Sequence, residues 1–185
     1  MLPLLSNEKP NSNINIVTLS LGSNLGEREA NILGAVKAMN DLDDFSLKRL
    51  SSLYETEPAG TGFSGAFINS AAVFEADISP YELLSLCKKL EKRFGREDGL
   101  DRPLDIDIIL YGEILINRPD LKIPHKMFRQ RSFVLGPMLE ICPDFKVPPD
   151  NMTVKDISEG IGPSGWVRKV SSRFFINAGS SLLDS

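Results

Sequence analysis

The order of apolar patterns along this 185-residue chain predicts an α+β protein. The expected architecture is a ferredoxin-like βαββαβ sandwich, an antiparallel sheet with helices on one face, plus an added hairpin and a C-terminal extension. Three observations carry that expectation. Short runs rich in β-branched, leucine and aromatic residues alternate with two stretches of helical periodicity. Gly, Pro, Ser and Asn punctuate the joins between them. Apolar residues make up 42% and charged residues 25%, which supports one packed core and argues against disorder.

Residues 1–13, rich in Asn, Ser and Pro, read as a flexible N-terminal tail. Residues 14–21 (INIVTLSL) read as a strand, and Gly22–Gly26 (GSNLG) as a tight turn. That turn lacks the spacing of a dinucleotide fingerprint or a Walker loop. Asn24 followed by Glu27 has the N-cap and N3 spacing of a helix start. The helix runs to Met39, with Ile32, Val36 and Met39 on one stripe. Residues 45–56 are the second strand, 57–66 (EPAGTGFSGA) a Gly-rich loop too long for a tight hairpin, and 67–75 the third strand. Ser79-Pro80-Tyr81-Glu82 is a helix start, with a capping Ser, Pro at the first helical position and Glu closing the box. Leu83, Cys87, Leu90 and Phe94 then share one face, and Gly95 stops the helix. Residues 96–103 are a short polar loop, 104–111 (LDIDIILY) a strand, 113–116 its hairpin partner, and 130–141 a further helix. One domain over residues 14–150 is expected. Residues 151–185 form an extension packed on it or trailing from it, with Trp166 packing back.

Composition narrows the function. A net charge of −4 argues against nucleic acid held by bulk electrostatics. Two cysteines far apart make neither a disulfide framework nor a zinc site. No apolar run reaches the ~20 residues that span a bilayer, and the first residues lack the pattern of a secretory signal. A cytoplasmic protein without membrane partners is expected, as a monomer or weak homodimer.

The chemistry concentrates in a few places. In a strand, residues two apart share a face, so Leu104, Ile106, Ile108 and Leu110 point to the core while Asp105 and Asp107 point out together. Asp is disfavoured in strands, and two side by side repel, so a divalent cation is an economical partner; the alternative is two solvated acids. Arg96, Arg102, Lys122, His125, Lys126, Arg129 and Arg131 concentrate positive charge near those acids. They suit a phosphate chain, or form a solvated basic face. His125, the only histidine, reads as a structural hydrogen-bonding group, and no histidine-based nucleophilic triad is expected. Phe67 and Asn69 share a strand face beside the Gly-rich loop. With Phe133 as a second plane they can hold a flat heterocycle, or the rings belong to the core.

Seven segments in order then resemble the 6-hydroxymethyl-7,8-dihydropterin pyrophosphokinases: LSLGSNLGER at 19–28, SSLYETEPAG at 51–60, FINSAAV at 67–73, SPYELL at 79–84, LEKRFGR at 90–96, RPLDIDIILYG at 102–112 and IPHKMFRQRSFVLGPMLEICPD at 123–144. The resemblance implies Mg-dependent transfer of pyrophosphate from ATP to the pterin hydroxymethyl group, with release of AMP, in folate biosynthesis. It implies that Asp105 and Asp107 hold two Mg²⁺ ions, and that Arg96 and Arg102 contact the phosphates. The pterin is expected between Phe67 and Phe133, with Asn69, Thr56 and the backbone near Ala59 bonding its edge. Glu91, Ile108, His125 and Arg131 are expected on the nucleotide side, with loops 57–66 and 96–103 closing over both. The chain departs from the family pattern in its short 96–103 loop. Asp101 stands where Pro often precedes the arginine, and Lys126 where some members carry an aromatic. Two rivals share part of this pattern: another two-metal nucleotidyl or phosphoryl transferase, and a non-catalytic ferredoxin-like ligand-binding module.

Overall fold

A computed structural model describes residues 14–161, 165 and 167–171. The N-terminal tail and Trp166 lie outside the described residues. The element order is β1 (Asn15–Ser23), α1 (Arg28–Asn40), β2 (Phe45–Leu50), β3 (Leu53–Thr56), β4 (Phe67–Ala76), α2 (Pro80–Arg93), β5 (Asp105–Tyr111), β6 (Ile116–Asn117), β7 (Lys122–Ile123), α3 (Ser132–Ile141), β8 (Lys146–Val147), β9 (Met152–Thr153), α4 (Val154–Glu159) and β10 (Val167–Ser171). The main sheet runs β10-β3-β4-β1-β5, with β2 also on β4, and every pairing is antiparallel.

Helices cover both faces of this sheet, not one. On the first face, α1 (Ile32, Val36, Met39) and α2 (Leu83, Cys87, Leu90) pack on Leu19, Leu21, Ile68, Phe74, Ile106 and Ile108. On the second, α3 (Val134, Leu135, Met138, Ile141) and α4 (Val154, Ile157) pack on Ala71, Val73, Ile109 and Leu110. The reason is legible in β4, FINSAAVFEA, which has no polar face to leave in water. Its even-numbered side chains feed one core, and Ala71 and Val73 the other.

Local signals performed unevenly. The Ser79–Glu82 capping box forms with Pro80 in the first turn, and Gly95 follows the helix at φ +88°. Asn24 does not cap α1. The cap position is Glu27, and Asn24 is engaged elsewhere. The expected second strand breaks at Ser51–Ser52 into β2 and β3, because Ser51 Oγ accepts from Ala71 N while Ser52 turns to Glu140. The segment after β5 does not return along it. Instead, β6 pairs with β7. A bulge in β5 opposite Thr18 and Leu19 breaks the alternation, so Ile109 and Leu110 both join the α3 core. Leu110 therefore faces away from Ile106 and Ile108. The C-terminal extension adds β10 to the β3 edge of the sheet and sets α4 against α3. No helix among the described residues is long and apolar enough to cross a membrane.

Candidate active site

The site lies at one end of the α3 face, where strand register brings distant residues into rows. Asn69 on β4 is opposite Gly22 on β1, and Gly22 is opposite Asp105 on β5. One step along, Ala71, Ser20 and Asp107 make the next row. Strands sit ~4.8 Å apart, so the amide and the acids face each other across about 10 Å of sheet. Between them β1 contributes only Ser20 and Gly22, which keeps the floor low. A Cβ on Gly22 would lie 2.9 Å from Asn69 Oδ1. This is a glycine required by close approach in a strand, a role the turn reading of Gly22–Gly26 missed.

The resulting cleft has a volume of about 320 Å³. It gathers Thr56, Ala59, Phe67, Asn69 and Phe133 at one end and Arg96, Arg102, Asp105, Asp107, His125 and Arg131 at the other. Ser20, Glu57 and Phe63, which were not singled out in the sequence, also line it, as does Gly22, read there only as part of a turn. The side chain of Ile108 is on the opposite face of β5 in the core, because it alternates with Asp107. Glu91 lines a neighbouring hollow with Lys88, Lys92 and Arg96.

The charged end is a network. Arg96 Nη1 lies 2.6 Å from both Asp105 Oδ1 and Glu91 Oε1, and Arg102 Nη1 donates to Asp105 Oδ2 at 2.8 Å. Glu91 Oε1 also accepts from the Ile106 backbone N–H at 2.8 Å, tying α2 to β5. Burial raises the Glu91 pKa, against the hydrogen bond from Ile106 and the charge of Arg96. Burial opposes the Arg96 charge, but Asp105 and Glu91 outweigh it and raise its pKa. Asp107 is less compensated, with Arg131 Nη1 at 3.5 Å and His125 Nε2 at 4.0 Å. Burial, then the neighbouring Asp105, raise its pKa against the opposing pull of Arg131 and of His125 when protonated. Burial, aided by Arg131 and Lys126, lowers that of His125, whose Nδ1 is buried without a hydrogen-bond partner among the described residues. A half-compensated pair of carboxylates suits a hard, oxygen-seeking cation that completes its shell with phosphate oxygens and water.

The aromatic end is built mainly from uncharged side chains. Asn69 Nδ2 donates to Thr56 Oγ1 at 2.8 Å, and both residues are almost fully buried. That bond fixes which way the amide points. Phe63 packs edge-on against Phe67 at 5.3 Å, and the Arg131 guanidinium lies 5.6 Å from the Phe133 ring centre.

Two loops meet above the cleft. Asp101 Oδ1 accepts from Ser64 N at 3.0 Å and from Asn24 Nδ2 at 2.5 Å, while Asn24 Oδ1 accepts from Arg102 N at 2.8 Å. The residue that departs from the family pattern is thus the tie between loop 57–66 and loop 96–103. These hydrogen bonds, Ser64 foremost, hold its carboxyl below the usual range.

Fold and site together define a small α+β domain with one cleft, whose acid-and-arginine end suits a charged group and whose aromatic–amide end suits a flat one. A sequence model of the 7,8-dihydro-6-hydroxymethylpterin-pyrophosphokinase (HPPK) family matches residues 18–143, and the chain belongs to that family. It is 36% identical to a 2-amino-4-hydroxy-6-hydroxymethyldihydropteridine pyrophosphokinase of Pseudomonas aeruginosa over 135 residues, 71% of this chain and 83% of that one. It is 38% identical over 141 residues to a mitochondrial folate synthesis bifunctional protein of Pisum sativum, covering 71% of this chain but only 27% of the relative. A solved Plasmodium falciparum HPPK-DHPS superposes with a TM-score of 0.66 at 16% identity, over 83% of this chain and 46% of that one, a likeness of fold.

Proposed function

We propose that the chain transfers pyrophosphate from ATP to the hydroxymethyl group of 6-hydroxymethyl-7,8-dihydropterin, releasing AMP, as a step of folate synthesis. The observation that carries this reading is the single cleft joining an acid pair with arginines to an aromatic–amide pocket. In this reading the pterin stacks between Phe67 and Phe133. Asn69, Thr56 and the backbone near Ala59 bond its edge, so a ring lacking those groups leaves a buried amide unpaired. Arg96 and Arg102, now on Asp105, are the guanidinium groups within reach of the phosphates. Glu91 holds Arg96 in place, and His125 and Arg131 serve the nucleotide side. Two Mg²⁺ ions held by Asp105 and Asp107 would neutralise the phosphate chain. The hydroxymethyl oxygen forms its bond to the β-phosphorus and gives up its proton to the medium, as the bond from that phosphorus to the α-phosphate oxygen breaks and AMP leaves. Positioning and charge neutralisation suffice for this class of transfer, and no protein nucleophile is needed. The loops tied at Asp101 exclude water that would otherwise hydrolyse ATP.

The sheet order β3-β4-β1-β5 supports a ferredoxin-like unit within residues 14–150, and we propose that it acts in the cytoplasm as a monomer or weak homodimer. The test is incubation with Mg-ATP and the pterin, followed by identification of the nucleotide product. Pterin-dependent AMP is expected. ADP would make it a single-phosphoryl transferase, and ATP binding without turnover a binding module.

A further inference from the structure

The family match ends at residue 143, yet β10, beyond it, reaches both ends of loop 57–66. β3 is only four residues long, and its last residue, Thr56, pairs with Val167. Without β10 this stretch would be a sheet edge with unpaired backbone groups at the wall of the cleft. At the start of the loop, Gly165 lies against Glu57. A Cβ there would sit 2.2 Å from Glu57 Oε1, and its φ of +66° already favours glycine. At the far end the link runs through side chains. Arg168 Nη2 pairs with Glu55 Oε2 at 2.5 Å, and Glu55 Oε1 with Arg28 Nη2 at 3.2 Å. Arg28 Nη1 then donates to the carbonyl of Ala66 at 2.7 Å, one residue before Phe67. The third wall is touched too. Val167 packs by Gly136 on α3, the helix that carries Phe133, and Lys169 pairs with Glu140 of that helix at 3.2 Å.

We infer that Gly165 and Arg168 are positioning residues for the pterin-side pocket, because Gly165, just before β10, abuts the start of loop 57–66 and Arg168, on β10, is linked to its far end. The inference rests on the reading of that pocket as the pterin site. Neither residue lines the cleft, so their effect is on where Thr56, Phe67 and the loop stand.

The test uses the full chain with Gly165→Val, Arg168→Glu and Arg168→Lys. Gly165→Val drives a side chain into Glu57 and should raise the pterin KM about tenfold, the scale of a sub-ångström misplacement. Arg168→Glu turns an exposed attraction into a repulsion and should raise it about threefold, while Arg168→Lys stays near wild type. The ATP KM and the melting temperature should change little, and amides 57–66 should exchange faster without substrates in the first two variants. An unchanged pterin KM and unchanged exchange in both variants would overturn the inference. So would equal rises in both KM values with a falling melting temperature, which is general loss of stability. If wild type forms no AMP from the pterin, the functional reading has failed. The exchange comparison then decides the brace alone: faster loop exchange supports it, and unchanged exchange overturns it.

Discussion

The two ends of the cleft are built in different ways. The heart of the charged end is compact in sequence: Arg96, Arg102, Asp105 and Asp107 fall within twelve residues, on one loop and one strand, and His125 and Arg131 join them from farther along. The aromatic end is scattered. Thr56, Phe67 and Asn69 come from two strands and Phe133 from a helix far along the chain, with Gly165 and Arg168 bracing them from farther still. Charge networks can be assembled locally because Coulombic attraction tolerates small errors in distance. A pocket for a flat, hydrogen-bonding ring needs walls placed to within an ångström, which only packing from several elements supplies.

The largest expected effect breaks the charged end. Asp107→Ala should lower turnover roughly 10³-fold or more, since electrostatic stabilisation carries most of this chemistry. The circular dichroism spectrum should stay native, because the side chain faces the cleft and not a core. Near wild-type AMP release would count decisively against the metal role. Next comes the aromatic end. Asn69→Ala should raise the pterin KM about 10²-fold and leave Thr56 Oγ1 without its partner. Gly22→Ala should act the same way about tenfold, through the 2.9 Å approach to Asn69 Oδ1. Either variant with an ATP KM shifted as far as its pterin KM would erase the distinction between the two ends. Asp101→Ala tests what joins them. It should raise both KM values about threefold to fivefold, because one carboxylate serves both loops, and a shift confined to one substrate would show that the loops close independently.

The smallest effect is on stability and concerns the brace. The Arg168 hydrogen bond, against burial and with help from Arg28, holds Glu55 below its ordinary value of 4.5. Burial would raise Glu140, but hydrogen bonds from Tyr54 and Ser52 outweigh it and lower its pKa. Groups depressed on folding contribute stability that is fully present above pH 4.5 and lost as pH falls through their folded values. The share of stability due to Glu55 and Glu140 should therefore be constant from neutral pH to about 5 and then fall, and Glu140→Gln should reduce that acid loss by about 1 kcal/mol in urea titrations compared with wild type, since the pair with Lys169 is exposed. An unchanged acid slope in that variant would remove Glu140 from the account.

Much of the fold was legible because the interactions that write it are short-range. The capping box at Ser79–Glu82 and the α2 stripe involve neighbours within one or two turns, so sequence spacing stands in for geometry. The same holds for Asp105 and Asp107, two apart on one strand. Misreadings occurred where a local group had a distant partner. Asn24 has the chemistry of a cap, but a partner 78 positions away on loop 96–103 took its carbonyl oxygen. The bulge in β5 turned Leu110 to the other core, because its register is set by β1 and not by its own alternation.

By itself, then, the sequence determined the β–α order, the acid pair, the arginines beside it and, through seven ordered segments, the family. The tertiary structure alone decided that both sheet faces are covered, that Gly22 is the floor between amide and acids, that Asp101 ties two loops, and that the extension braces the aromatic end. The physical reason is range. Alternation, caps and charge clusters are properties of neighbours along the chain. Close approach, shared hydrogen bonds and walls are properties of residues that meet only once the sheet has set its register.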